Sequence, residues 1–368
     1  MSKPVFTHSE DQFKQITQDM LRIARNKGAT DAVAEVSEGG GLSISVRKGK
    51  VETIEQNRDK GVGITVYIGQ KRGNASTSDF SAKSLEDTVE AAYNIARFTA
   101  EDDCAGLPDA DLLETSPRDL KLFHPWQVTA EEAIELACRI EAAAFATDKR
   151  ISNCDGASVH AQQSHFVSAN TRGFCAGYAF SRHTLSVAPI AGKGAHMQRD
   201  DWYSSHRNAK KLASPEAIGR YAAERALARL HARTLETRKC PVLFEAPLAA
   251  GLLGSLVQAV SGGALYRKSS FLLDSLGTQI FPRHVQITED PHILGAVGSS
   301  PFDDEGVKTH KRELVQDGVL QGYFLSSYSA RKLGMQTTGN AGGSHNLLMR
   351  SSLAKKTDNF AAMLKKMG

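Results

Sequence analysis

Residues 61–68 alternate apolar with small or polar side chains, so that Val62, Ile64, Val66 and Ile68 fall on one side. A period of two over this length marks a half-buried strand. The same alternation runs through Leu42, Ile44 and Val46, turns at Lys48-Gly49, and resumes at Val51 and Thr53. Turns this short join only antiparallel neighbours, so the segment must fold as a meander with one face covered. A polar strand over 74–77 follows a loop at 69–73. Helices bracket the strands. Phe13, Ile16, Met20, Ile23 and Ala24 recur at helical spacing behind a Ser9/Gln12 capping box, with Gly28 as the stop. Ser84 caps a second helix bearing Leu85, Val89, Ala92, Ile95 and Ala96.

Residues 101–126 are acidic and carry Pro108, Pro117 and Pro125, the composition of a connector. Thr129 and Glu132 form another capping box, followed by Ile134, Ala137, Cys138, Ile140 and Phe145 on one helix. Strand patterning returns over 151–203, with turns expected at Asp155-Gly156, 170–173 and 192–194. Ser214-Pro215 opens a helix reaching about His231. Residues 240–245 read as a short strand and 247–261 as an apolar core helix, too short to cross a bilayer. Asp317-Gly318 is a favoured two-residue hairpin turn. The order gives an α+β chain: helices on an antiparallel sheet, then a larger strand-rich domain of barrel or sandwich type. The expected division is 1–118 (N-terminal domain and connector), 119–239 (helix, meander and basic helix) and 240–368 (C-terminal domain).

The 368 residues suffice for about two domains. A net charge of +4 excludes the strongly basic signature of a dedicated nucleic-acid binder. The five cysteines are scattered and never spaced Cys-x-x-Cys, which fits a reducing compartment and excludes a disulfide framework. Residues 1–10 carry no apolar leader segment, so a soluble cytoplasmic protein is expected.

Motifs for chemistry are sparse. His160 and His165 are five apart on a strand and so face opposite sides, which argues against a metal pair. Ser255 lacks the second glycine of a nucleophile elbow. Cys154 and Cys175 read as small buried hydrophobes. Gly39-Gly40-Gly41 and Gly192-Lys193-Gly194 read as loop glycines, not phosphate cradles. Asp303-Asp304-Glu305 is a stronger candidate, since adjacent carboxylates can recruit a cation or a basic peptide end. Between Arg199 and Lys239, ten basic residues face five acidic ones. Arg225, Arg229 and Arg233 would share one helix face if the helix persists.

Several blocks occur together in order: Ser261-Gly262-Gly263-Ala264-Leu265-Tyr266-Arg267-Lys268, Ser300-Pro301-Phe302-Asp303-Asp304-Glu305-Gly306, Ser327-Tyr328-Ser329-Ala330-Arg331-Lys332-Leu333-Gly334 and Thr338-Gly339-Asn340-Ala341-Gly342-Gly343. In these the chain resembles the PmbA (TldE) branch of the TldD/PmbA family along essentially its whole length. The resemblance implies a subunit of a cytoplasmic zinc metallopeptidase that processes unstructured peptides. It implies a TldD-like partner whose helix carries His-Glu-x-x-x-His, with zinc in that partner and no cofactor in this chain.

Aligned on that helix, the motif positions fall on Gly254, Ser255 and Ala259. None can bind zinc and activate water as two imidazoles and a carboxylate would. The resemblance therefore implies a non-catalytic subunit without catalytic or metal residues of its own. Tyr266, Arg267, Lys268, Asp303, Asp304, Glu305 and Asn340 are then candidates for a peptide chamber or subunit contact. The alternative is a binding protein regulating DNA gyrase or another nucleic-acid enzyme through Arg225, Arg229 and Arg233. Homo- or hetero-oligomers fit the first reading; membrane or nucleic-acid binding does not. Family members continue past residues 363–368 into further strands, which implies an incomplete second domain with exposed sheet edges.

Overall fold

The structure, a computed structural model, describes residues 5–367. Residues 1–4 and 368 lie outside it, so the leader reading of 1–10 and the chain end at Gly368 fall only partly on described residues. Helix α1 (Glu10–Asn26) starts with the expected reciprocal cap between Ser9 and Gln12. It buries Phe13, Thr17, Met20, Leu21 and Ala24. β1 (Asp31–Arg47) and β2 (Lys50–Ile68) form a long hairpin. Its turn residues Lys48 and Gly49 have φ of 51° and 69°, the left-handed pair that a type I′ turn demands. The buried Glu141 fixes this turn by accepting from Lys48 N at 2.8 Å and Gly49 N at 2.7 Å.

β3 (Lys71–Thr77) extends the sheet, and α2 (Ala82–Phe98) crosses it. After the connector come α3 (Ala130–Thr147), β4 (Ile151–Asn170), β5 (Cys175–Ala191), β6 (Gln198–Arg199), β7 (Trp202–His206) and α4 (Pro215–Ala228). The strand order is β3-β2-β1-β4-β5-β6, with β7 also on β5, all antiparallel. This one curled, half-barrel sheet joins residues from both the 1–118 and the 119–239 segments. Alternate residues of β1 divide its faces. Ala32, Ala34 and Val36 pack under α1 and α2, while Ile44 and Val46 pack under α3 and α4. Glu35, Ser37, Gly39 and Gly41 belong to the opposite, helix-free face.

The C-terminal part holds α5 (Ala246–Ala259), α6 (Gly262–Tyr266), β8 (Val285–Asp290), β9 (Arg312–Gln316), β10 (Val319–Leu320), α7 (Ser327–Lys332), β11 (Asn346–Ser351) and α8 (Phe360–Met367). Its four strands run β10-β9-β8-β11 around a core of Val285, Ile287, Leu314, Leu320 and Leu325. The α+β class is as expected, and so is the Asp317-Gly318 turn, with φ of 50° and 76°.

Local details differ from expectation. Ser81, not Ser84, caps α2, because its side chain accepts from Ser84 N. Ile95 is 48% exposed and lies off the buried face of that helix. Gly39-Gly40-Gly41 are not loop residues but lie inside β1. A Cβ on Gly41 would come within 2.2 Å of Gln162 Oε1, so the glycine lets that β4 side chain lie across the strand. Asp155-Gly156 is an irregularity within continuous β4, not a turn between strands. Residues 240–245 pair with no strand and are mostly exposed. The apolar α5 is not a core helix: only Leu256 is buried, while Leu248 is 62% and Leu252 51% exposed. Just one row, Leu253, Leu256 and Val257, reaches the C-terminal core.

Gly177 on β5 pairs with Val167 of β4, and a Cβ added there would stand 1.8 Å from Phe166 O. Neither backbone can yield without breaking the ladder. Gly177→Ala should therefore lower stability by about 1–3 kcal/mol, measured by urea unfolding followed by circular dichroism.

Candidate functional site

The loop 299–307 brings the C-terminal part against the helix-free face. Phe302 inserts among Phe166, Phe174 and Tyr178, with ring centroids 5.0 Å from Phe174 and 5.6 Å from Tyr178. Tyr178 Oη and Ser300 Oγ share a hydrogen bond of 3.1 Å. Gly306, at φ 80°, packs flat on the Phe174 ring, where a Cβ would approach within 2.8 Å.

This docking gives the three adjacent carboxylates different tasks. Asp303 is buried. Its Oδ1 accepts from Glu305 N at 3.0 Å and Val307 N at 2.9 Å, and its Oδ2 from Ala341 N at 2.9 Å. Burial pushes its carboxyl up to about 7, against the pull of these backbone donors. Asp303 thus staples two loops together and is not free to bind. Glu305 is also occupied, since its Oε2 accepts from Ser327 N at the start of α7. Asp304 alone stays open to solvent. It lies near Glu35 on β1, whose carboxyl is raised first by desolvation and then by the Asp304 charge. Asp304 is raised by desolvation and partly offset by His345. The structure thus sets two exposed carboxyl groups from distant parts of the chain near each other on one face.

Asn340 is a structural hub. Its Nδ2 donates to Glu289 Oε1 at 2.8 Å, and its Oδ1 accepts from Arg312 Nη2 at 3.0 Å. Glu289, 1% exposed, also accepts from His345 and from Arg312 Nε at 2.7 Å. Burial works against its charge, yet His345 and Arg312 hold its carboxyl at about 2. Tyr266 stands edge-on to Tyr328, whose Oη donates to Asp102 Oδ2 at 2.7 Å. Lys332 pairs with the same carboxylate at 2.8 Å. Arg267 stacks on Tyr266, and Lys268 is exposed. The structure therefore ties Tyr266 and Glu305 to α7 and places Asp304 with Glu35. Glu35 and Tyr178 carried no mark in sequence beyond the outward phase of their strands.

The helix-free face beside this pair is polar. A cleft of about 550 Å³ there is lined by Ser37, Asp59, Lys60, Gln162, Phe180 and Arg182. His160 bonds Ser43 Oγ at 2.9 Å, while His165 stacks between Phe6 and Phe13 on the other face. The two histidines do lie on opposite sides, as their spacing predicts.

The expected basic surface is dispersed. Helix α4 ends at Ala228, so Arg233 does not continue its face. Arg225 pairs with Glu245 at 2.6 Å and Asp200 at 3.4 Å and lies against Trp202, while Arg229 reaches Asp200 at 3.6 Å. Burial raises the Cys154 thiol to about 11, which leaves it protonated and inert.

Gly254, Ser255 and Ala259 sit on α5 with Gly254 and Ser255 exposed, and Ser255 Oγ donates back to Gly251 O at 3.2 Å. These positions do not fit a zinc ion, since glycine and alanine carry no ligand atom. Among the described residues, no group of three His, Cys, Asp or Glu side chains could hold a metal. No helix is long and apolar enough to cross a membrane.

Asp303→Asn keeps the Oδ1 contacts but sets an amide donor against Ala341 N–H. It should cost about 1–3 kcal/mol, read by thermal unfolding. Glu289 titrates at about 2 in the fold against an ordinary 4.5. Its contribution to stability is therefore complete above about pH 4.5 and fades as the pH falls towards 2. The stability gap between the native protein and Glu289→Gln should narrow across that window in acid unfolding curves.

Three domain profiles match the chain in order: PmbA/TldA metallopeptidase domain 1 over 32–96, the central domain over 123–230 and the C-terminal domain over 237–368. The metalloprotease PmbA of Escherichia coli O157:H7 is 46% identical over 348 residues, covering 95% of this chain and 76% of that protein. A PmbA homolog from Haemophilus influenzae is 42% identical, covering 98% and 79%. A structure from Bacteroides thetaiotaomicron, described as a putative modulator of DNA gyrase, superposes with a TM-score of 0.87 at 26% identity, covering 92% and 77%. TldE from Thermococcus kodakarensis shares the fold, with a TM-score of 0.77 at 18% identity over 96% and 80%. The chain belongs to the PmbA/TldD metallopeptidase family.

Proposed function

We propose that this chain is the PmbA/TldE-type subunit of a two-subunit zinc metallopeptidase that processes unstructured peptides, and that it contributes substrate binding, not the metal. The observation that carries the reading is α5, whose Gly254, Ser255 and Ala259 lack every group that the partner's His-Glu-x-x-x-His would supply. The open carboxylates Glu35 and Asp304 suit a basic group on an extended peptide. Such a peptide can lie along strands through its own backbone hydrogen bonds. Tyr266, Arg267 and Lys268 serve as a subunit contact in this reading. The gyrase-regulator reading has less support, because Arg225 and Arg229 share the Asp200 carboxylate and Arg233 lies past the end of the helix.

The purified chain alone should cleave no peptide and hold no stoichiometric zinc. Adding a chain with His-Glu-x-x-x-His should produce cleavage that a chelator abolishes. Cleavage by the isolated chain, or failure to bind such a partner, overturns the reading. Within the complex, Glu35→Gln with Asp304→Asn should raise KM for lysine- and arginine-rich peptides about tenfold, the effect of roughly 1.4 kcal/mol. Neutral peptides of equal length should be unaffected.

A further inference from the structure

The β5 wall of the cleft on the helix-free face carries two cations without a counter-ion. Arg182 lines the cleft and is exposed, and its Nε donates to Ser205 Oγ at 3.0 Å. Arg207 follows β7, whose His206 pairs with His183 beside Arg182. It is 8% exposed and donates only to the carbonyl oxygens of Ala296 at 3.1 Å, Val297 at 2.8 Å and Ser181 at 3.4 Å. Its guanidinium lies 6.0 Å from the centre of the Phe180 ring, which also lines the cleft. Among the described residues no acidic side chain forms an ion pair with Arg182 or Arg207. Burial opposes the Arg207 charge first, Tyr178 offsets part of this, and Arg182 adds its repulsion. A buried charge is costly without an opposite one, so this wall lacks an anion.

The other charges do not supply it. Lys60 turns its ammonium to the helix-covered face, 4.6 Å from the centre of the Phe80 ring. Asp59 is three strands from Arg182, about 14 Å at ordinary strand spacing, and accepts from Asn57 Nδ2 at 2.9 Å. Between these walls the floor is bare. Gly39 lies on β1, and Gly61 lies on β2 opposite Ser37. Glycine weakens a strand interior and marks places where another backbone comes close. Ser164 accounts for Gly39, where a Cβ would stand 3.1 Å from its Oγ. Nothing in the chain accounts for Gly61: its φ is not positive, and a Cβ there would meet no atom within 4 Å.

We propose that Arg182, backed by Arg207, selects a carboxylate on an extended peptide lying over this bare floor, either an acidic side chain or the C-terminus. The inference rests on the peptide-binding reading above and adds a second charge requirement to it. Glu35 shares a row of the sheet with Ser168 and Ala176, and Gly41 shares one with Gln162 and Arg182, six residues further along β5. At about 3.3 Å per residue the acidic and basic poles are about 20 Å apart. A peptide extended along the strands then presents a basic group to Glu35 and Asp304 and a carboxylate about six residues away to Arg182. An Arg fork suits a carboxylate in two parallel hydrogen bonds. The subunit is thereby matched to peptides that carry both charges at that spacing.

Fluorescence anisotropy of the purified full chain with labelled glycine-serine peptides tests this. One peptide, blocked at both ends, carries a lysine and a glutamate six residues apart, made in both orders. A second replaces the glutamate by glutamine, and a third has a free C-terminus six residues after the lysine. The native chain should bind the better glutamate peptide, the free-ended peptide, or both about tenfold more tightly than the glutamine peptide. Which of the two binds identifies the source of the carboxylate. Arg182→Gln should erase the difference and leave the glutamine peptide unchanged, which a folding defect would not do. Arg182→Lys should restore part of it. Gly61→Val should keep or raise the urea unfolding midpoint yet weaken all three peptides about tenfold. Equal binding of all three peptides by the native chain overturns the proposal, as does a preference that survives Arg182→Gln. Unaltered binding by Gly61→Val also overturns it. Zinc-dependent cleavage with the partner is a separate measurement: its absence beside intact charge selectivity overturns the subunit reading alone, and cleavage without selectivity overturns this inference alone.

Discussion

The insertion of Phe302 among Phe166, Phe174 and Tyr178 is the contact on which the arrangement of the candidate site depends. It is the point where the loop 299–307 meets the large sheet. Offset and edge-on aromatic pairs contribute about 0.5–1.5 kcal/mol each beyond the area they bury. Three such rings around Phe302 make a directional anchor. Asp303 completes it by tying 303–307 to 340–343 through backbone N–H groups. Behind these loops, the Glu289–Arg312–Asn340–His345 network fixes the segment leading into β11. Breaking one partner of such a network leaves a buried charge unpaired, which is why its geometry is specific.

Chemistry then follows from what this scaffold leaves unused. Of three consecutive carboxylates, one is consumed by a staple and one by a helix start. The remaining one lies beside Glu35 from the opposite end of the chain. The same scaffold places no converging set of metal ligands among the described residues.

Much of the fold was legible locally. The caps at Ser9 and Thr129 and the turns at Lys48-Gly49 and Asp317-Gly318 depend on residues within a few positions of one another. The alternation at 61–68 correctly marked a half-covered strand. Reading failed where a local signal has two tertiary meanings. The triple glycine suits a loop, but also a strand crossed by the neighbouring Gln162. The apolar run at 247–261 suits a core helix, yet only one of its rows meets a facing element. The arginines on α4 form a patch only if unpaired, and Asp200 and Glu245 reach them from elsewhere in the chain.

The sequence by itself determined the antiparallel meander, the helix starts at Ser9, Thr129 and Ser214, the α+β class and the family, because these rest on periodicity, short-range hydrogen bonds and ordered motifs. The first reading of 61–68 therefore stands, and it also explains why alternate β1 residues form a helix-free face. Tertiary structure alone decided which carboxylate is open, that Glu35 joins it, and that β2 keeps a bare edge beyond Val62. Those outcomes turn on groups far apart in the chain, and burial and pairing assign each group its role only once the chain has closed upon itself.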